Sequence, residues 1–144
     1  KLHMVGKLQT NKVKFVLPLF DFIHSLDSLK LAKKISEEQK KYENKPKIFI
    51  QINIGNEPQK SGIDKSKLNE FYNECINLGL DIVGTMCLPP IDNDPSIYFL
   101  EMKKITEILN LKEISMGMSE DYLKAIEHSS TYLRIGSKIF GPRN

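Results

Sequence analysis

The sequence predicts an α/β protein built on a parallel sheet, and three observations support this fold class. Six short apolar segments of strand character alternate along the 144 residues with five segments of helical periodicity. No Asn-Gly or Asp-Gly dipeptide, the usual signal of a tight hairpin, lies between them. Short connections between successive βα units require right-handed crossovers. The expected architecture is therefore a doubly wound open sheet or a (β/α)8 barrel.

The first half of the chain supplies three of these strands. The run LHMVG near the start is the first strand, and an amphipathic segment over residues 11–17 follows it. FIHSL (22–26) is the second strand, and a helix rich in Lys and Glu is predicted for residues 28–42. KIFIQIN (47–53) is the clearest buried strand because it is apolar almost throughout.

The second half continues the same alternation. A helix is predicted for Ser66–Leu78, with Gly79 placed to end it and one apolar face formed by Leu68, Phe71, Tyr72, Cys75 and Ile76. After the strand DIVGTM (81–86) and the loop LPPIDNDPS, a further helix carries Tyr98, Met102, Ile105 and Leu109 on one side. The strand EISM, a helix over residues 119–128 and the strand TYLRI complete the series.

Composition indicates one domain over residues 1–144, with 40% hydrophobic residues to form a core. The net charge of +3 is spread along the chain, which argues against nucleic acid as a partner. No apolar run is long enough for a membrane span, and the first residues lack the layout of a signal peptide. Cys75 and Cys87 have no CxxC partner, so we expect reduced thiols, no metal site and a cytoplasmic protein. A monomer is a separate expectation.

Ligands bind at the carboxyl ends of the strands in both candidate architectures. The search for a site therefore narrows to the segments that follow the strands, which are residues 6–11, 53–62, 86–90, 117–119 and 136–137.

The last two of these segments are suited to phosphate. If a helix begins at Ser119, its first amides are unpaired and attract an anion, and the Ser119 hydroxyl can share it. Gly136 would let another backbone approach closely, and the amide and hydroxyl of Ser137 can point the same way. The alternative is that Ser119 is only an N-cap and Gly136 only a turn residue, which the acidic Glu120 and Asp121 favour.

Three other polar residues lie in or after the strands. Arg134 is inside an apolar strand and needs either a salt bridge to a strand-end acid or a ligand. Asn53 is placed to tie neighbouring loops together or to bind a ligand ring, and the loop role is favoured. Lys60, in a polar loop, is either solvated or in contact with an anion.

None of the histidines is predicted to be a general base. His3 is expected to be a satisfied strand-end histidine, and His24 and His128 have no acid, Cys or Ser at a telling spacing. No catalytic residue is therefore assigned.

Several separated blocks carry a family resemblance: HMVGKLQTNK, IHSLD, IQINIGNEPQKSGI, GTMCLPP and SMGMSEDYLKAIEHSSTYLRIGSKIFGPRN. In this order and spacing the chain resembles the pyridoxal-phosphate homeostasis proteins, whose fold resembles the barrel domain of alanine racemase. The resemblance implies a TIM-type (β/α)8 barrel that binds pyridoxal 5′-phosphate (PLP). It also implies a role in vitamin B6 and amino-acid homeostasis, without catalytic turnover.

The resemblance also implies the cofactor-binding residues. Ser119 and the preceding residue, Met118, match positions that hold the phosphate, and Gly136 and Ser137 match the other half of the phosphate site. Arg134 matches a residue near the pyridine nitrogen. A guanidinium there disfavours protonation of the ring nitrogen and so weakens the cofactor as an electron sink.

The chain departs from the family pattern at its start. Lys1 stands where the third strand would begin, so an incomplete barrel of about six βα units, the C-terminal majority of the domain, is expected, with open edges and poor stability. The lysine that forms the Schiff base has no counterpart, and Lys7, Lys12 and Lys60 do not match it.

Three functions follow from these observations. The first is PLP binding and homeostasis, with possible transfer of the cofactor to apoenzymes. The second is a racemase-like enzyme that depends on PLP. The third is an unrelated phosphate-binding barrel enzyme, for which Asp27 and Asp92 are the nearby acids.

Overall fold

A computed structural model describes residues 1–91 and 93–142, in which six strands alternate with helices. The strands are β1 (His3–Met4), β2 (Phe22–Leu26), β3 (Lys47–Ile52), β4 (Asp81–Cys87), β5 (Glu113–Met118) and β6 (Tyr132–Arg134). The α-helices are α1 (Val13–Val16), α2 (Leu29–Gln39), α3 (Leu68–Asn77), α4 (Pro95–Ile108), α5 (Tyr122–Glu127) and α6 (Ser137–Phe140). Short 3-10 helices at Thr10–Lys12 and Lys65–Lys67 lead into α1 and α3.

The six strands form one sheet in the order β1-β2-β3-β4-β5-β6, and every described pairing is parallel. A doubly wound sheet reverses its strand order at a switch point, whereas a (β/α)8 barrel keeps neighbours sequential. The sequential order confirms the barrel-type fold, here an arc of six strands. The sheet is strongly curved, as shown by the ring centroids of His3 on β1 and Tyr132 on β6, which lie only 5.6 Å apart.

The two faces of the sheet pack differently. Ile48, Ile50 and Ile52 on β3 belong to the main core, which is shared with the helices. Phe49, between them, points to the concave face and stacks on His24 with a centroid distance of 4.2 Å. This alternation follows from the two-residue period of a strand, and it leaves the concave face free to carry polar groups.

Side-chain caps and a glycine set several of the helix boundaries. The Ser28 hydroxyl accepts a hydrogen bond from the Leu31 amide, so α2 begins directly after it. The carboxylate of Asp94 does the same for α4 by accepting from Ser96. Gly79 follows α3 with a φ of +71°, the left-handed conformation that glycine adopts after helix ends.

The structure corrects the predicted boundary between β5 and α5. The strand does not end at Met116 but continues to Met118, and the helix begins at Tyr122 instead of Ser119. The Met118 amide donates to the Asp121 carboxylate at 2.6 Å, so the residues between them form a turn and not a first helical turn. The four-residue α6 was not predicted, because so short a helix shows no 3.6-residue period.

Candidate functional site

A cavity of about 620 Å³ opens at the carboxyl ends of the strands, where the fold class places ligands. Its walls come from both edges of the sheet and include His3, His24, Met118, Tyr132, Arg134 and Gly136. Three of the residues predicted to bind the cofactor, Met118, Arg134 and Gly136, therefore line one cavity.

The pairing of β5 with β6 brings these residues together. Met118 lies opposite Arg134 in the parallel register. Ser119 follows Met118, and its hydroxyl contacts the amide of Gly136, two residues beyond Arg134. The residues predicted for the two halves of a phosphate site are thus adjacent.

Ser119 is not the N-cap of α5, since that helix begins three residues later. The buried Ser119 hydroxyl instead accepts hydrogen bonds from the amides of Gly136 and Lys138, both at 3.3 Å. These bonds are long for N–H···O contacts. One oxygen atom therefore sits where two backbone amides at the start of α6 converge.

The other residues of the predicted phosphate site differ in their availability. The amide of Met118 is already bound to Asp121, but its side chain lines the cavity and is 41% exposed. Ser137 is exposed as the first residue of α6. The close backbone approach predicted at Gly136 does not occur, because a Cβ at this position would meet nothing within 4 Å in the described part of the chain. The space beside Gly136 is open, as a ligand requires.

Among the described residues Arg134 has no carboxylate partner, so the salt bridge considered from the sequence is not seen there. Its guanidinium donates to the Ser115 hydroxyl and to the Cys87 carbonyl, both at 2.8 Å. Burial lowers the pKa of Arg134 from its usual value. A side chain that is always protonated in proteins therefore lies at the cavity wall without an ion pair to any described carboxylate, and the Asp121 charge acts on it only from a longer distance.

Sequence analysis missed a polar chain behind Arg134. Ser115 Oγ lies 2.8 Å from His24 Nδ1, and His24 Nε2 lies 2.9 Å from His3 Nδ1. Burial, together with the neighbouring His3 and Arg134, lowers the pKa of His24 to about 4. Burial also lowers the pKa of His3. The available signal was that His24, Ser115 and Arg134 are polar residues within apolar strands; their sequence spacing carried no information about contact.

An aromatic cluster surrounds this polar chain on the concave face. His3 stacks on Phe22 and His24 stacks on Phe49, each at 4.2 Å between ring centroids. Tyr132 contacts both histidine rings and both phenylalanine rings. Of these rings, those of His3, His24 and Tyr132 line the cavity, where a flat heteroaromatic ring can pack against them.

The remaining candidates have structural roles. Asn53 exchanges two hydrogen bonds with the backbone of Glu57, four residues further on, so it closes its own loop and does not tie neighbouring loops together as predicted. Lys60 binds the Glu57 carboxylate at 2.6 Å and the Pro89 carbonyl at 3.2 Å, so it links two loops. His128 is placed at the end of α5, where its ring contacts the Lys124 carbonyl.

Neither cysteine is exposed. Cys75 and Cys87 are both free and buried, and burial raises the pKa of each to about 12. Within residues 1–91 and 93–142, no group of three or more His, Cys, Asp or Glu side chains is placed to hold a metal. Over the same ranges, none of the helices has the length and apolar character that a bilayer span needs. Asp92, one of the acids considered from the sequence, lies outside the described residues.

Taken together, the fold and the cavity define a barrel-type α/β protein with a candidate ligand site at the strand ends. The profile of the family "Alanine racemase, N-terminal domain" matches residues 2–144, and the chain belongs to this family. The family resemblance expected from the sequence is confirmed.

The similar curated proteins share one name. A pyridoxal phosphate homeostasis protein of Aquifex aeolicus is 34% identical over 98% of this chain, and one of Pasteurella multocida is 35% identical over 99% of it. The chain spans 66% of the length of each of these relatives.

Solved structures agree with this relationship. PipY of Synechococcus elongatus PCC7942, solved with PLP bound, superposes with a TM-score of 0.88 and is 29% identical; the match covers 96% of this chain and 69% of PipY. An arginine decarboxylase of Paramecium bursaria Chlorella virus has a TM-score of 0.66 at 11% identity, over 93% of this chain and 44% of the enzyme, which shows a shared fold alone.

Proposed function

We propose that this protein binds pyridoxal 5′-phosphate in the cavity at the strand ends and serves PLP homeostasis without catalytic turnover. In this role it acts as a monomeric cytoplasmic carrier that can pass the cofactor to apoenzymes. The observation that carries the proposal is the guanidinium of Arg134, which Ser115 and Cys87 hold at the cavity wall. Beside it lies an amide cluster, formed by the amides of Gly136 and Lys138 that converge on the Ser119 hydroxyl oxygen. The names of the relatives and the PLP bound to PipY supply the identity of the ligand.

The amide cluster fits a phosphate group. Two amides, those of Gly136 and Lys138, already converge on one oxygen atom, the Ser119 hydroxyl oxygen. A phosphate oxygen presents the same acceptor with more negative charge, and it would form shorter hydrogen bonds than 3.3 Å. The open space at Gly136 and the exposed Ser137 hydroxyl provide room and a further donor.

The cavity wall fits the pyridine ring. Bound PLP supplies an aldehyde and an electron-withdrawing ring. Arg134 would face the ring nitrogen, where a guanidinium can donate a hydrogen bond but cannot accept a proton. The nitrogen would then stay unprotonated, since two positive charges would otherwise be adjacent. An unprotonated ring withdraws electrons weakly, which suits a carrier or a racemase-like site better than a transaminase.

The test compares two ligands that differ only in the phosphate. Affinities of the full-length protein for PLP and for pyridoxal are measured by equilibrium dialysis, with the Ser119→Ala variant alongside. The variant lacks the Ser119 hydroxyl, which can both accept and donate a hydrogen bond in the phosphate site. It should therefore bind PLP about tenfold more weakly and pyridoxal unchanged. The exposed Ser66, which does not line the cavity, provides the matched control variant Ser66→Ala.

Two results would overturn the proposal. If the wild-type protein does not bind PLP more tightly than pyridoxal, the protein has no phosphate site in this cavity. Rapid racemisation of an amino acid by the PLP-loaded protein would replace the carrier role with an enzymatic one.

A further inference from the structure

The polar chain from Arg134 to His3 crosses the concave face of the sheet through two buried residues. Arg134 contacts Ser115, Ser115 contacts His24, and His24 contacts His3, at distances of 2.8, 2.8 and 2.9 Å. Ser115 is fully buried and His24 is 1% exposed, so water does not take the place of these partners.

The direction of every hydrogen bond in this chain follows from the guanidinium. Arginine has only donors, so the Ser115 oxygen must accept from Arg134. Among the described residues, His24 Nδ1 is the only other partner of the Ser115 hydroxyl, and it must therefore accept the hydroxyl proton. A neutral His24 then carries its own proton on Nε2 and donates it to His3 Nδ1.

The opposite assignment is unfavourable on two grounds. If Nδ1 of His24 were protonated, the Ser115 hydroxyl proton would have no acceptor in a buried environment. If both nitrogens were protonated, His24 would carry a second positive charge, and only the Ser115 hydroxyl would separate it from the Arg134 guanidinium. The low pKa of His24 agrees with a neutral ring.

We propose that His24 is a positioning residue for Arg134: as an acceptor for Ser115 it turns the serine oxygen toward the guanidinium, and so fixes the direction in which Arg134 presents its charge to the ligand. The inference rests on the proposed function for the identity of that ligand. The positioning of Arg134 itself depends only on contacts within the protein and not on any ligand.

Two variants separate the acceptor from the ring. His24→Phe keeps an aromatic ring to stack on Phe49 but removes the acceptor, whereas His24→Asn keeps an acceptor near the Nδ1 position and loses the stacking. Affinities are measured for PLP and for the analogue with carbon in place of the ring nitrogen. His24→Phe should weaken PLP binding about tenfold and leave the analogue unchanged, and His24→Asn should bind PLP like the wild type.

An equal loss of both ligands in His24→Phe would show a general structural defect and overturn the inference, as would unchanged PLP binding. Should His24→Phe fail to fold, Ser115→Ala breaks the same chain at its next member and is judged by the same comparison.

A measurement without ligand keeps the inference separate from the proposed function. Nitrogen-15 NMR of the wild-type protein should show His24 with a bare Nδ1 and a protonated Nε2, and slow rotation of the Arg134 guanidinium that becomes fast in His24→Phe. A protonated Nδ1, or guanidinium signals that the variant leaves unchanged, would overturn the inference. A wild-type protein that passes this test yet does not bind PLP would overturn the proposed function alone.

Discussion

Gly117 on β5 packs so closely on Ala125 of α5 that a Cβ atom at position 117 would lie 2.6 Å from the Ala125 Cβ. Gly117 also has a φ of +91°, in the region that residues with a Cβ rarely adopt. Both the backbone conformation and the contact therefore require glycine. This close approach brings α5 against the strand whose last residue, Met118, lines the cavity.

Gly117→Ala should destabilise the protein by about 3 kcal/mol, since backbone strain and overpacking add. Gly79→Ala is the matched control: Gly79 has a φ of +71° but no neighbour within 4 Å of its Cβ position. This control should cost only about 1 kcal/mol, from the backbone alone. Urea unfolding measures both values, and equal losses would contradict the packing argument.

Arg134→Lys should weaken PLP binding about tenfold although it keeps the positive charge. A single ammonium cannot span the Ser115 hydroxyl and the Cys87 carbonyl as the two arms of the guanidinium do. Arg134→Gln loses the charge as well and should bind more weakly still. Dialysis with both variants checks the order, and equal affinities of Arg134→Lys and wild type would show that charge alone suffices.

Acid should destabilise the protein through His24. Its pKa is about 4 in the folded chain, against an ordinary value of 6.5, because burial disfavours the charged ring. Between these two pH values the unfolded chain binds a proton that the folded chain does not, so the free energy of unfolding decreases as pH falls. The decrease attributable to His24 is roughly 3 kcal/mol.

Urea unfolding of wild type and His24→Phe from pH 7 to pH 4 isolates this contribution. The variant lacks the titrating ring, so its stability should fall less steeply over that window. Parallel curves for the two proteins would show that His24 is not the group responsible.

Sequence reasoning identified the strands well because each carries its own apolar run. FIHSL at residues 22–26 coincides with β2, and the absence of hairpin dipeptides correctly indicated parallel pairing. It failed at Ser119, where Gly117 prolongs the strand and the bond between the Met118 amide and Asp121 forms a turn. Serine followed by two acids is typical of a helix start, and only the turn and the contacts of Ser119 with the amides of Gly136 and Lys138 show otherwise.

The candidate site was predictable in part. Met118, Arg134 and Gly136 line the cavity because the carboxyl ends of neighbouring parallel strands lie side by side. The contact of His24 with Ser115 was not predictable, since 91 residues separate them and only the curvature of the sheet brings them together. For the same reason the partners of Arg134 proved to be a hydroxyl and a carbonyl, and not an acid.

That curvature is itself held by side chains. β1 and β6 are the outermost strands of the described sheet and share no backbone hydrogen bond, yet His3 on one touches Tyr132 on the other across the interior. The arc is thus braced from within by rings and by the polar chain. Because the contact between His3 and Tyr132 joins residues more than 100 positions apart, its loop-closure entropy is larger than that of the pairings between neighbouring strands, and we expect the cavity to acquire its shape late in folding.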